Sequence, residues 1–67
     1  MNERLTNSLK EERARLGLTQ ADLAALIGVS RKTINTVENG VFVPSTILAL
    51  KLAAALDRPV EKLFRIG

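Results

Sequence analysis

The sequence predicts an all-α fold of five short helices. Two observations carry this prediction. Apolar residues recur at helical spacing with no clean run of strand alternation. Cap residues at helix starts also alternate with glycine and proline signals at helix ends. A third observation bounds the size: 67 residues make a single domain, residues 1–67, because domains usually run to about 100–150 residues.

Helix one is expected over residues 2–16, stopping at Gly17. It places Leu5, Leu9 and Leu16 on one face, with the charged Arg13 on that same face. Thr19 opens helix two. Asp22 follows three residues later, the capping-box spacing in which each side chain satisfies an orphan N–H. Leu23, Ala24 and Ile27 point inward, and Gly28 ends the helix. Ser30 caps helix three, residues 31–39, which stops at Asn39 and Gly40. These two helices and their short connection, residues 19–40, have the layout of a helix-turn-helix unit. Residues 41–44 form a linker, in which Phe42 is expected to plug the core while Val41 and Val43 could form an exposed apolar patch. Ser45 then caps helix four, residues 46–56, where only Thr46 and Lys51 are polar. A helix so apolar is buried on most sides, either centrally or under another chain. Asp57, Arg58 and Pro59 break the chain, and Pro59 takes the first position of a final helix reaching Phe64.

A chain this short has a marginal core and usually needs a disulfide, a metal or a partner subunit. With no Cys and no His, disulfides, thiolate zinc sites and imidazole ligands are excluded, which leaves the partner. The same absences, with too little chain to wall a substrate pocket, argue against an enzyme; no cofactor, metal or small-molecule ligand is expected. The net charge of +3 and pI near 10.0 favour a polyanionic partner. At 46% apolar residues the chain is too hydrophobic for a disordered basic tail. Its apolar runs are too short to span a membrane and its N-terminus lacks a signal-peptide pattern, so a soluble cytosolic protein is expected. Two aromatic residues are few for stacking on single-stranded bases, so a duplex is the better partner.

Helical periodicity turns Ile34 and Val37 of helix three inward, with Glu38 on the edge of the apolar stripe. Lys32, Thr36 and Asn39 point the other way, flanked by Asn35, and Arg31 projects from the first turn. This face offers cations, carboxamides and a hydroxyl without a carboxylate. A helix fits the major groove of DNA, where Arg or Lys suits guanine and Asn suits adenine. Considered alone, such a face is what an ordinary solvated helix surface also shows, and composition does not separate the two. The start of helix two adds Gln20 and the free N–H groups after Thr19, which can hold a phosphate. Ala24 permits a close helix crossing there. Lys10 and Arg15 are further phosphate candidates or plain solvated residues.

Arg13, residues 16–24, residues 28–34, residues 37–40, Pro44, Ser45, Leu63 and Phe64 together resemble the Cro/repressor-type helix-turn-helix family, also called the XRE family. The likeness spans residues 5–64 and is nearest to its stand-alone single-domain regulators. It implies a compact five-helix, lambda-repressor-like DNA-binding domain in a bacterial cytoplasm or nucleoid. It further implies base contacts by Arg31, Lys32, Asn35 and Thr36, and phosphate contacts by Thr19, Gln20, Ser30 and Asn39. Gln20 would also buttress the recognition helix, and Arg13 would pair with Glu38 in a partly buried salt bridge. Relatives usually dimerise on a near-palindromic operator. The loop after helix three departs from the pattern: relatives often carry Lys or Arg there, whereas this chain has Val41, Phe42 and Val43.

Leu56, Pro59, Leu63, Phe64 and Ile66 gather at the C-terminal end. Leu56, Leu63 and Phe64 are expected to serve the core in part, and Pro59, Leu63, Phe64 and Ile66 are assigned to a two-fold homodimer interface. The function expected is a sequence-specific double-stranded DNA-binding regulator, a dimeric repressor or autoregulator. The alternative is a protein-interaction module, such as an antitoxin or coactivator-like subunit, using the same fold. The outward face of helix three separates them, since acidic residues there would favour a protein partner.

Overall fold

The chain enters its fold as a strand. In the computed structural model, which describes residues 3–67, Leu5–Asn7 forms β1 and Phe64–Ile66 forms β2. The two pair antiparallel, Leu5 with Ile66, Thr6 with Arg65 and Asn7 with Phe64. The Gly67 N–H donates to the Arg4 carbonyl at 2.9 Å, and the Ser8 N–H donates to the Leu63 carbonyl at 2.9 Å, extending the pairing at both ends. The expected all-α fold is therefore mostly helical with a small sheet. Helix one is shorter than expected, and its expected start at Asn2 lies outside the described residues. Thr6, Asn7 and Ser8 favour local caps over helix interior, and the Asn7 side-chain oxygen accepts from the Leu9 N–H at 3.1 Å. The helix consequently begins only at Leu9.

Five helices lie between the strands: α1 (Leu9–Arg15), α2 (Gln20–Ile27), α3 (Arg31–Glu38), α4 (Thr46–Leu56) and α5 (Val60–Leu63). Thr19 and Asp22 form the full capping box of α2. Ser30 and Ser45 cap α3 and α4 by accepting from the N–H groups of Thr33 and Leu48. Gly28, at φ 72°, takes the left-handed conformation that ends α2 and turns the chain into α3. At the end of α3, the Gly40 N–H donates to Val37 and the Val41 N–H to Thr36. This is the paired bonding of a Schellman motif. The same pairing closes α4, from Asp57 to Ala54 and from Arg58 to Ala53. There the left-handed residue is Asp57, at φ 54°.

Leu9, Leu23, Ala24, Ile27, Ile34, Val37, Leu48, Leu52, Leu56, Leu63 and Phe64 form the core, and among the described residues no polar residue belongs to it. Leu5 packs against this core from the sheet, whereas Leu16, expected inside, caps α1 and is 41% exposed. Pro59 precedes α5 as its N-cap in an extended conformation, one place earlier than expected, and Phe64 leaves the helix to open β2.

Two expectations about the surface change. Leu63 and Phe64, assigned to a dimer interface, are buried within the single chain, because α5 turns them under α4 and the sheet. Pro59 and Ile66 stay exposed. Conversely, α4 is less covered than its composition implies. Leu48, Leu52 and Leu56 face inward, while Ile47 and Leu50 stand 69% and 58% exposed on the opposite side, because none of the described elements lies over them.

Candidate nucleic-acid interface

The site is built on α3, whose orientation is held by a polar network on its inner edge. Arg13 on α1 meets Glu38 at the end of α3 in a two-pronged ion pair, with Nε donating to Oε2 at 2.6 Å and Nη2 to Oε1 at 3.1 Å. A planar guanidinium suits this paired geometry. The remaining prong, Nη1, donates to the Leu18 carbonyl at 2.8 Å, so Arg13 also fastens the α1–α2 loop. Hydrogen bonding to Glu38 raises the Arg13 pKa above its ordinary value. Gln20, in the first turn of α2, donates from Nε2 to Glu38 Oε1 at 3.1 Å. One carboxylate thus ties α1, α2 and α3 together.

Asn7 completes this clamp, and the sequence reading missed it. Its Nδ2 donates to the carbonyls of Val37 and Glu38 at 3.1 and 3.2 Å while its Oδ1 caps α1. Asn7 and Ser8 just before an apolar helical stripe are a helix-start signal, and they place Asn7 ahead of α1, not inside the expected helix of residues 2–16.

On the outer face of α3, Arg31 and Lys32 are exposed, and among the described residues neither joins an ion pair. Asn35 and Thr36 are half-buried and Asn39 is exposed. The Asn39 Nδ2 donates to the Asn35 Oδ1, so the two carboxamides form a linked unit that still offers the Asn35 Nδ2 and the Asn39 Oδ1. Thr36 Oγ1 donates to the Thr33 carbonyl at 3.0 Å, which leaves its methyl group and lone pairs outward. Ser30 Oγ is occupied by capping and by a 3.0 Å contact with Thr33 Oγ1. The face can donate hydrogen bonds through two free cations and a carboxamide, and it carries no carboxylate.

At the start of α2, the capping box takes up the Asp22 N–H, while Gln20 and Ala21 keep N–H groups without intrahelical acceptors. The helix end therefore favours an anion, although the Asp22 carboxylate stands at the same end. Hydrogen bonds from Thr19 lower the Asp22 pKa, so the side chain is ionised there. Arg15 is committed elsewhere: its Nε pairs with Glu12 at 2.7 Å and its Nη2 donates to the Leu56 carbonyl at 2.7 Å. Lys10 is exposed. Phe42, expected in the core, is 48% exposed. Its N–H and that of Val41 both donate to the Thr36 carbonyl, which lays the loop along α3 and away from the interior.

Among the described residues no cluster of carboxylates could hold a metal ion, and no helix is long and apolar enough to cross a membrane.

Comparison with known proteins places this geometry. The family model described as helix-turn-helix matches residues 9–63. The chain is 42% identical over 60 residues to YgzD of Bacillus subtilis, an uncharacterized HTH-type transcriptional regulator, covering 90% of this chain and 91% of that one. It is 47% identical over 57 residues to an uncharacterized HTH-type transcriptional regulator of Methanothermobacter thermautotrophicus, covering 84% and 83%. Among solved structures, the restriction-modification controller protein C.AhdI from Aeromonas hydrophila superposes with a TM-score of 0.76 at 41% identity, covering 81% of this chain and 82% of that one.

Proposed function

Because the chain belongs to the XRE-type helix-turn-helix family of transcriptional regulators, we propose that residues 1–67 form a lambda-repressor-like DNA-binding domain that works as a homodimeric repressor or autoregulator. In this reading α3 enters the major groove and reads bases through Arg31, Lys32, Asn35 and Thr36. Gln20, the N–H groups after Thr19, Ser30 and Asn39 set its register on the phosphates, since such contacts position and base contacts specify. The observation that carries the reading is the outer face of α3: unpaired cations and carboxamides without a carboxylate, on a helix clamped from behind by Glu38, Arg13 and Gln20. An acidic face would have favoured a protein partner, and this one is not acidic.

The homodimer is supported by exposed apolar residues that no described part of the chain covers. Ile47 and Leu50 on α4, with Pro59 and Ile66 at the C-terminal end, form its proposed interface. A two-fold pair arranged through that side would present two recognition helices about 34 Å apart, one turn of DNA, to a near-palindromic operator. Such a protein works in the cytoplasm or nucleoid, where its operator is.

The test is selection of bound duplexes from a random pool, followed by titration of the selected operator across salt. Affinity should fall by about 0.9 log units per tenfold salt for each phosphate neutralised. Lys32→Ala should relax base preference at one position, and Gln20→Ala should weaken binding evenly across sequences. Failure to enrich any sequence would remove the reading.

A further inference from the structure

Beside α3 runs a groove whose apolar wall the contacts above do not use. It is lined by Ser30, Lys32, Thr33 and Thr36 of the helix region and by Val41 and Phe42 of the following loop. The N–H groups of Val41 and Phe42 donate to the Thr36 carbonyl at 2.9 and 3.2 Å, so this wall is pinned to the last turn of α3. Val41 is 77% and Phe42 48% exposed, and neither belongs to the core. Large apolar side chains held in water beside a binding face point to a ligand.

The lining says which kind. It holds one cation, Lys32, three hydroxyls and no carboxylate, so it suits a molecule that is anionic overall yet presents an apolar group at its edge. Within a DNA duplex the thymine 5-methyl group fits that description, and it is the one apolar feature of the major-groove base pattern. It lies toward the backbone side of the groove, where a residue flanking the recognition helix meets it sooner than one at the centre of its face. The wall is also continuous with Lys32 and Thr36, so a duplex seated on them brings a base edge into the groove.

We propose, on the premise that the protein reads DNA through α3, that Val41 and Phe42 are specificity-determining residues that contact the 5-methyl group of one thymine in each half-site. The loop, whose residues 41–43 carry no cation, then adds sequence preference in place of phosphate affinity.

The test replaces each thymine of the selected operator in turn by deoxyuridine, which removes only the methyl group, and compares wild type with Phe42→Ala, Phe42→Leu and Val41→Ala. At one thymine per half-site, demethylation should weaken wild-type binding about fourfold, the worth of one buried methyl group. Phe42→Ala should cut that difference to about twofold or less, with Val41 still in place, and Phe42→Leu should keep most of it. Thermal melting checks that each variant folds; if Phe42→Ala does not, Val41→Ala, at a more exposed position, makes the same comparison. An operator bound normally, with thymine-to-deoxyuridine ratios unchanged in the folded variants, overturns this inference and leaves the DNA reading intact. Loss of dimer in Phe42→Ala with unchanged ratios overturns it in favour of a second copy of the chain. If wild type selects no sequence, the DNA reading itself fails and the inference falls with it.

Discussion

Arg13 shows how much one side chain can decide in a chain of this size. It is charged, it stands on the apolar face of α1, and its side chain is only 13% exposed against 5% for Glu38. An intact pair of this kind contributes little net stability, because desolvation offsets the attraction; removing one partner strands the other. We expect Arg13→Ala to lower stability by about 3 kcal/mol, measured by urea denaturation. Glu38→Ala should cost a similar amount, and the double variant less than the two together, since the stranded charge is then gone. Because Glu38 also accepts from Gln20, losing it frees the α2 contact of α3, so operator affinity should fall along with stability. The unusual position of Arg13 and Glu38 is visible in the helical period of the sequence. Their pairing is not in that period but in the family resemblance, and the structure shows it; Leu18, the further partner of Arg13, joins only after α1 and α2 have turned against each other.

At the scale of elements, what is local is legible and what is distant is not. The starts of α2, α3 and α4 follow from Thr19, Ser30 and Ser45, each of which bonds to an N–H three residues away. The end of α4 adds a feature that sequence alone does not reveal: Asp57 adopts a left-handed conformation, at φ 54°. A side chain with a Cβ is strained there and glycine is not. Asp57→Gly should therefore raise stability by roughly 0.5–1 kcal/mol, partly offset by the freer unfolded chain, read as a higher urea midpoint at unchanged slope. The strands have no comparable signal. Leu5–Asn7 becomes β1 only because Phe64–Ile66 arrives beside it, and nothing within a few residues of Asn7 announces that partner.

For the whole molecule the unresolved need is cover for apolar surface. Ile47 and Leu50 face outward from α4 in a domain whose size already makes its core marginal. We expect the protein to sediment as a dimer at micromolar concentration, and Leu50→Glu to give a folded 7.3 kDa monomer with weakened operator binding. A wild-type monomer under the same conditions would remove the proposed interface. The helical periods, the capped starts of the helix-turn-helix unit and the non-acidic outer face of α3 are legible in the sequence, because each depends on residues a turn or two apart. The burial of Leu63 and Phe64 in the core, the place of Phe42 beside α3, the clamp by Asn7 and the bare side of α4 emerge only in the folded chain. Those outcomes depend on which elements meet, and burial and long-range hydrogen bonds exist only once they have met.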